Sequence, residues 1–177
     1  MQRPLASVEP RNCRAGQDVQ RSLHLHGQLG AFILAEGRLN ELGPGRFKAY
    51  WAGSHPKGAV HPLALQTLRS LHIPVGGFRS KGWEEFAKPD APQTDFVFTV
   101  CDQAAGEACP VWPGRPMIAH WGMPDPAAVE GSDDIKQNAF RYAAVTMKRR
   151  IELMLALPVG RLGEMALSKE VKDIGTR

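Results

Sequence analysis

A short, almost unbroken apolar run from Phe96 to Cys101 is the feature that most constrains the fold of this chain. The run is rich in Phe and Val and too short for a typical helix, so it predicts a strand. A strand that is apolar on both faces is typical of the interior of a parallel sheet, where other elements cover both faces. We therefore expect Phe96 to Cys101 to be a buried parallel strand.

Two further strand candidates alternate with helical patterns along the chain. The strands are Phe47 to Ala52 and Met117 to Trp121, and Pro62 to Leu71 and Leu162 to Val171 are short helix candidates. Strands that alternate with helices predict an α/β fold, a doubly wound parallel sheet flanked by helices. Such sheets bind ligands at the carboxyl ends of their strands.

One long helix is predicted after Ser132. This serine can cap the helix, and Asp133 and Asp134 in the first turn suit the helix dipole. Pro158 lies just beyond the expected end. The apolar residues that recur at helical spacing, and that we expect to form its buried face, are Ile135, Ala139, Ala143, Met147, Ile151 and Met154.

Composition excludes several classes of function. A chain of 177 residues with 43% hydrophobic and 23% charged residues suits one domain with a sizeable core. The net charge of +4 comes without a basic stripe, and we expect the triplet Lys148 to Arg150 to be a solvated helix face, so no nucleic-acid partner is predicted. No apolar run approaches membrane-spanning length and no signal core is present. We expect no membrane partner and a cytoplasmic location, where free cysteines are reduced.

The segment before Ile33 is the weak part of the pattern. Leu23 and Leu25 alternate with His24 and His26, which suits a half-exposed strand rather than an interior one. Burying two unpaired imidazoles would cost on the order of several kcal/mol on an apolar-transfer scale. The sequence thus predicts a four-stranded sheet whose first strand is degraded.

Several segments, taken in order, resemble one known family. They are Ile33 to Glu36 with Leu39-Asn40, Arg46 to Tyr50, Ala52 to Pro56, Ser80-Lys81, Asp95 to Asp102, Cys109-Pro110, His120 to Gly122, and Pro124-Asp125-Pro126. From Ile33 to Arg177 the chain resembles an arsenate reductase of the low-molecular-weight tyrosine phosphatase superfamily. Trp51 departs from the serine that the family pattern implies. The resemblance implies the low-molecular-weight phosphatase fold and the reduction of arsenate to arsenite.

The catalytic loop of that family is missing. The resemblance implies a Cys-x5-Arg phosphate loop directly before Ile33, in which the cysteine is the nucleophile and the arginine clamps the oxyanion. Counting back from Ile33, Leu25 stands at the cysteine position and Ala31 at the arginine position. The substrate-loop positions, all of them degraded, are Leu25, His26, Gly27, Gln28, Leu29, Gly30 and Ala31.

The missing loop reappears when residues 17–32 are read one base out of frame. With permitted wobble bases the shifted frame spells KTYNVLFICTGNSARS and runs straight into Ile33. The simplest account is one nucleotide lost next to the Phe32 codon, by mutation or by sequencing error; the alternative is a natural loop variant. We therefore divide the chain into an out-of-frame segment, residues 1–32, and a phosphatase-like domain, residues 33–177. We expect the first segment to be partly disordered and partly to mimic the first strand and loop.

Three residues outside the loop acquire roles from the resemblance. Asp125 matches the general acid of the family, although an Asp before Pro is also a common turn initiator. Cys101 and Cys109 match the second and third thiols of a relay, which an external thioredoxin- or glutaredoxin-type reductant would reset. The resemblance implies an arsenate- or phosphate-like oxyanion as ligand, no bound cofactor, and no metal, because the Cys and His spacing fits no common zinc pattern.

Three functions remain open. The first is an arsenate reductase by family, inactive in this copy because the loop is lost. The second is a low-molecular-weight tyrosine phosphatase, but that class has aromatic residues after the Asp-Pro of its acid loop, where this chain has Ala127 and Ala128. The third is a non-catalytic pseudophosphatase that binds an anion or a partner.

Overall fold

The computed structural model describes residues 21–26, 31–52, 60–78, 82–86, 88, 91, 93–100 and 115–177. Within these ranges the chain forms four strands, four α-helices and two short 3-10 helices. In chain order they are β1 (Arg21–His26), α1 (Ala31–Leu42), β2 (Phe47–Ala52), α2 (Pro62–Ser70), a 3-10 helix (Trp83–Glu85), β3 (Phe96–Thr99), β4 (Met117–His120), a 3-10 helix (Pro126–Ala128), α3 (Asp133–Ala156) and α4 (Glu164–Ile174). None of the helices in the described ranges is long and apolar enough to cross a membrane.

The strands form one parallel sheet in the order β2-β1-β3-β4. The predicted α/β fold with a four-stranded parallel sheet and flanking helices is confirmed. The chain moves outward in one direction from β1 to β2 and in the other direction from β3 to β4. The direction therefore reverses between β1 and β3, and the carboxyl edge of the sheet beside this switch point is where doubly wound folds bind ligands.

The sheet buries its two faces against different partners. Phe96 and Phe98 of β3 belong to the main core, which α1 and α3 complete with Leu34 and Met147. Val97 points to the opposite face, where it joins Ala52 and Phe86 in a smaller cluster. Burial on both faces is the reason that β3 reads as a continuous apolar run.

Helix α1 is joined to β2 through a side chain. The Asn40 carbonyl oxygen accepts a hydrogen bond from the backbone N–H of Ala49 at 3.0 Å, and its amide nitrogen donates to the Ala49 carbonyl at 3.4 Å. Ala49 itself is buried in the main core. This pair of bonds fixes the position of β2 relative to α1, and so to the strand-to-helix turn that precedes α1.

Helix α3 begins as predicted and differs from prediction at its first apolar residue. Ser132 caps the helix, since its hydroxyl oxygen accepts from the N–H of Ile135 at 3.4 Å. Ile135 was expected in the buried face, but it is 53% exposed because the first turn of α3 projects beyond the main core. Phe140, Met147 and Met154 are buried.

Candidate functional site

Strand β1 and helix α1 flank the segment that the sequence assigned to the phosphate loop. Strand β1 ends at His26 and α1 begins at Ala31, beside the switch point of the sheet. Leu25 pairs in register with Trp51 on one side and Phe98 on the other. The remaining predicted loop positions, Gly27, Gln28, Leu29 and Gly30, lie outside the described residues.

The amino end of α1 retains features that suit an anion. The helix spans twelve residues, and its first turn carries no acidic side chain. The N–H groups of a first helical turn have no acceptor within the helix, and the positive end of the helix dipole lies there, so this terminus suits an anion. Ile33 and Leu34 are fully buried and hold the helix against the sheet.

Asp125 lies after β4 and caps a short 3-10 helix. Its side-chain oxygen Oδ1 accepts a hydrogen bond from the backbone N–H of Ala127 at 3.0 Å. The backbone N–H of Ala128 donates to the Asp125 carbonyl at 3.1 Å. Asp125 is thus the turn initiator that its position before Pro126 suggested, and the cap fixes its carboxylate relative to residues 126–128. Its role as general acid stays a prediction.

Asp125 and the amino end of α1 lie at the same edge of the sheet. The four strands are parallel, so the segment after β4 and the turn after β1 leave the sheet from the same, carboxyl edge. The 3-10 helix capped by Asp125 packs against α3, and α3 packs against α1. Asp125 and the amino end of α1 are therefore on the same side of the sheet.

The two cysteines of the predicted relay cannot be located in the same way. Strand β3 ends at Thr99, earlier than the predicted end at Cys101. Cys101 and Cys109 both lie outside the described residues, and their roles stay predictions. Within the described ranges no three His, Cys, Asp or Glu side chains gather as a metal site would require.

Arg150 is a residue of this region that the sequence reasoning placed wrongly. The triplet Lys148 to Arg150 was expected to be a solvated helix face, but Arg150 is only 6% exposed. Its Nη1 donates to the Trp121 carbonyl at 2.8 Å and to the Gly122 carbonyl at 3.2 Å. Burial lowers the pKa of the Arg150 guanidinium, while Tyr142 acts in the opposite direction; an arginine remains charged at neutral pH all the same.

The helical spacing carried the signal for Arg150. It falls three residues after Met147 and four before Met154, both of which are buried. Side chains at these spacings share one face of a helix. Position 150 therefore lies on the buried face of the helix, although a charged residue there suggested exposure.

A groove lies along one side of α1. It encloses about 440 Å³ between α1 and the segment after α2. Two of its lining side chains, Glu36 and Glu41, are acidic, and Glu41 is paired with Arg38 at 2.7 Å. Among the described residues, the lining contains no basic side chain that could bind an arsenate or phosphate anion. The residues that line it are Glu36, Gly37, Asn40, Glu41, Ile73, Pro74, Gly76, Gly77 and Phe78. The groove is therefore unsuited to the oxyanion predicted for the strand-to-helix turn.

Comparison with known proteins agrees with this geometry. Residues 31–157 match the family described as low molecular weight phosphotyrosine protein phosphatase. An arsenate reductase from Halalkalibacterium halodurans is 30% identical over 119 residues, which are 67% of this chain and 82% of the relative. The family match begins at residue 31, so it includes only the last of the predicted loop positions, Leu25 to Ala31.

Solved structures show the same fold. An arsenate reductase in the phosphate binding state superposes with a TM-score of 0.60 at 23% identity, covering 77% of this chain and 98% of that one. A thioredoxin-dependent arsenate reductase from Corynebacterium glutamicum gives a TM-score of 0.51 at 20% identity, covering 76% of this chain and 63% of that one. At these identities the likeness concerns the fold.

Proposed function

This chain belongs to the arsenate reductases of the low molecular weight phosphotyrosine protein phosphatase family, and from that premise we propose that it descends from a thiol-dependent enzyme and no longer reduces arsenate. One observation carries the proposal. Strand β1 ends and α1 begins beside the switch point, and Leu25 and Ala31 stand at the two positions where the family resemblance implies a thiol and a guanidinium.

The chemistry of these two positions explains the expected loss. Attack on arsenic requires a thiolate, which a helix amino terminus favours by lowering the thiol pKa; Leu25 has no nucleophilic atom. Stabilising the oxyanion requires a preorganised cation, and the loss of one such donor typically costs about 3 kcal/mol of barrier. Ala31 offers none. Residual anion binding by the N–H groups of α1 is what the turn retains.

Asp125 and the two cysteines complete the proposed ancestral reaction. The thiolate attacks arsenate, and Asp125 as general acid protonates the departing oxygen as water. The Cys101 thiolate then attacks the sulfur of the arsenic-bearing cysteine, so that an S–S bond forms and the S–As bond breaks. The electron pair of the broken S–As bond stays on arsenic and reduces As(V) to As(III), and arsenite leaves. Cys109 passes the disulfide on to an external thiol reductant. Homologues that depend on thioredoxin support a reductant of this class, and a reducing cytoplasm is the setting we propose.

The tyrosine phosphatase alternative is weaker at the acid loop. Ala127 and Ala128 follow Pro126 and are both exposed at the carboxyl edge. Two methyl groups offer little surface for stacking against a phenol ring, whereas aromatic side chains would. A pseudophosphatase that binds an oxyanion is also compatible with the amino terminus of α1. It differs from our proposal in one respect, because it requires that the altered loop has been selected for binding.

The decisive experiment compares the chain with a frame-restored version. In that version residues 17–32 are replaced by KTYNVLFICTGNSARS, and arsenite release is measured with a thiol reductant plus thioredoxin or glutaredoxin. We expect no release from the chain as written and turnover by the restored protein. The matched control is the same restored loop with serine instead of cysteine at position 25, which should be inactive.

Two other results bear on the proposal directly. Turnover by the chain as written that is abolished by Cys101→Ser would show that the nucleophile lies elsewhere. Sequencing of the DNA around codons 17 to 33 tests the frame itself. Third bases in the Leu25 or Ala31 codons that are incompatible with Cys or Arg in the shifted frame would refute the lost nucleotide.

A further inference from the structure

Helix α4 lies beyond the part of the chain that matches the family, yet it contacts the segment that leads to Asp125. The family match ends at residue 157, and α4 spans Glu164–Ile174. The indole Nε1 of Trp121 donates to the carbonyl of Val171 in α4 at 2.9 Å. Trp121 is 1% exposed, and its ring centroid lies 4.1 Å from that of Phe98. The residue after β4 is therefore held between the sheet and α4.

Arg150 ties the same segment to the end of α4. Besides its bonds to the carbonyls of Trp121 and Gly122, it donates through Nη2 to the carbonyl of Gly175 at 2.8 Å. Hydrogen bonds from a charged donor are about twice as strong as neutral ones. One guanidinium thus joins three carbonyl groups from two segments distant in sequence.

Gly175 fits this junction because it has no side chain. A Cβ atom there would overlap the carbonyl oxygen of His120 and lie 2.8 Å from Cδ1 of Trp121. The backbone of Gly175 is right-handed helical, with φ of −61°, which any residue adopts without strain. The requirement for glycine is therefore one of space at the contact with β4.

The sheet holds the other side of the segment. The N–H of Trp121 donates to the Thr99 carbonyl at 2.7 Å, and the N–H of Met123 donates to the Val100 carbonyl at 2.9 Å. Trp121 to Met123 are thus bonded to β3 on one side and to α4 and Arg150 on the other. Asp125 follows only two residues later.

We propose that α4, Gly175 and Arg150 form a clamp that positions the acid loop. The proposal rests on the proposed function in assigning Asp125 the role of general acid. The clamp residues touch no substrate; they are positioning residues that fix the backbone from which Asp125 projects. A displacement of about 1 Å in a reacting group can cost on the order of a hundredfold in rate, so a fixed starting point matters.

Hydrogen exchange of the full chain tests the clamp without requiring turnover. Gly175→Ala is compared with Gly160→Ala, whose added methyl group would have nothing within 4 Å. In Gly175→Ala we expect the amides of Met123 and Ala127 to exchange at least about tenfold faster, while the amide of Phe47 stays within about twofold. Arg150→Lys should show the same local pattern. Equal acceleration at all three amides, or none, would overturn the clamp.

The kinetic arm uses the frame-restored protein. There Gly175→Ala should lower kcat about tenfold and leave KM within about twofold, because the clamp acts on Asp125 rather than on substrate binding. Local loosening in the exchange experiment with an unchanged kcat would overturn the positioning role. A restored protein that does not turn over would refute the proposed function instead, and the exchange result would still decide whether the clamp exists.

Discussion

Strands β1 and β4 both end at the carboxyl edge of the sheet, and the segments that follow them are the places where we propose the phosphate loop and the acid loop of the ancestral enzyme. Strand β1 lies between β2 and β3, and its main chain is in register with both. The segment after β4 is held by the sheet, by Arg150 and by α4. At β1 the backbone pairing is that of an interior strand, although the sequence alternates Leu with His; after β4 the side chains of Trp121 and Arg150 are buried and hydrogen-bonded.

The difference shows that strand pairing depends on the main chain, whereas catalysis depends on particular side chains. Parallel pairing uses backbone N–H and C=O groups that every residue except proline supplies, so an altered sequence still occupies an interior strand. Catalysis needs particular side chains at particular positions. The lost nucleotide that we propose would leave the backbone pairing of β1 possible and remove the side chains that catalysis needs.

The largest effect is expected at Asp125, in the segment after β4, and it tests the proposed role of this residue as general acid. In the frame-restored protein, Asp125→Asn should lower kcat about a hundredfold or more, because an amide cannot protonate the departing oxygen. The control is Glu130→Gln, an exposed residue just beyond the loop, which should leave kcat unchanged. Steady-state arsenite release gives the measurement. Equal kcat in Asp125→Asn and its parent would show that the acid is another group.

The next prediction concerns stability at the β4 end. Arg150→Met should lower the free energy of unfolding by about 3 kcal/mol, because it leaves the carbonyls of Trp121, Gly122 and Gly175 without their donor. Urea unfolding measures the change. Arg149→Met, at the exposed neighbour in the same turn, should stay within about 0.5 kcal/mol. A similar loss in both variants would mean that charge, and not the buried bonds, is responsible.

A third prediction is that a substitution in β1 stabilises the protein, whereas most substitutions destabilise. His24 lies in register between Tyr50 of β2 and the fully buried Val97 of β3. His24→Val should raise the free energy of unfolding by about 1 to 2 kcal/mol, because an apolar residue suits an interior strand of a parallel sheet.

The control for this gain is the histidine at the end of β4. Its ring nitrogen Nδ1 lies 2.9 Å from the Thr99 hydroxyl, and the residue is exposed. His120→Val should therefore be neutral or slightly destabilising in the same urea titration. A loss of stability in His24→Val would mean that β1 is adapted to its histidine, which would favour a selected loop variant over a lost nucleotide.

The smallest effect is expected at the exposed start of α3. Ser132→Ala removes an N-cap whose bond to the Ile135 N–H is long, at 3.4 Å. We expect a loss of about 0.5 kcal/mol, at the low end for such caps. Thermal unfolding followed by circular dichroism is sensitive enough, and a loss as large as that of Arg150→Met would contradict the ranking.

The sequence predicted the strands better than the side chains that join them. Phe47–Ala52 was predicted with its observed bounds, because turn residues flank a clear apolar pattern. Strand β3 stops at Thr99 rather than Cys101, since the last pairing partner in β4 is His120. The ends of strands depend on neighbours that a single segment does not reveal.

The candidate site was predictable only where local sequence determines geometry. The cap formed by Asp125 follows from its place before Pro126, and its location follows from the parallel order of the strands. Arg150 was missed because charge usually implies exposure. Its burial depends on three carbonyl groups, two of them near β4 and one at the end of α4, that only the tertiary fold brings together.

The bond between Asn40 and Ala49 has a consequence for how this protein meets other copies of itself. Strand β2 is one of the two outer strands of the described sheet, and an outer strand with unpaired main-chain groups can recruit another chain and begin aggregation. The Asn40 amide occupies both the N–H and the C=O of Ala49. A strand that tried to add at this point would first have to displace that amide. The Asn40 side chain thus protects the middle of this edge strand from pairing with another chain.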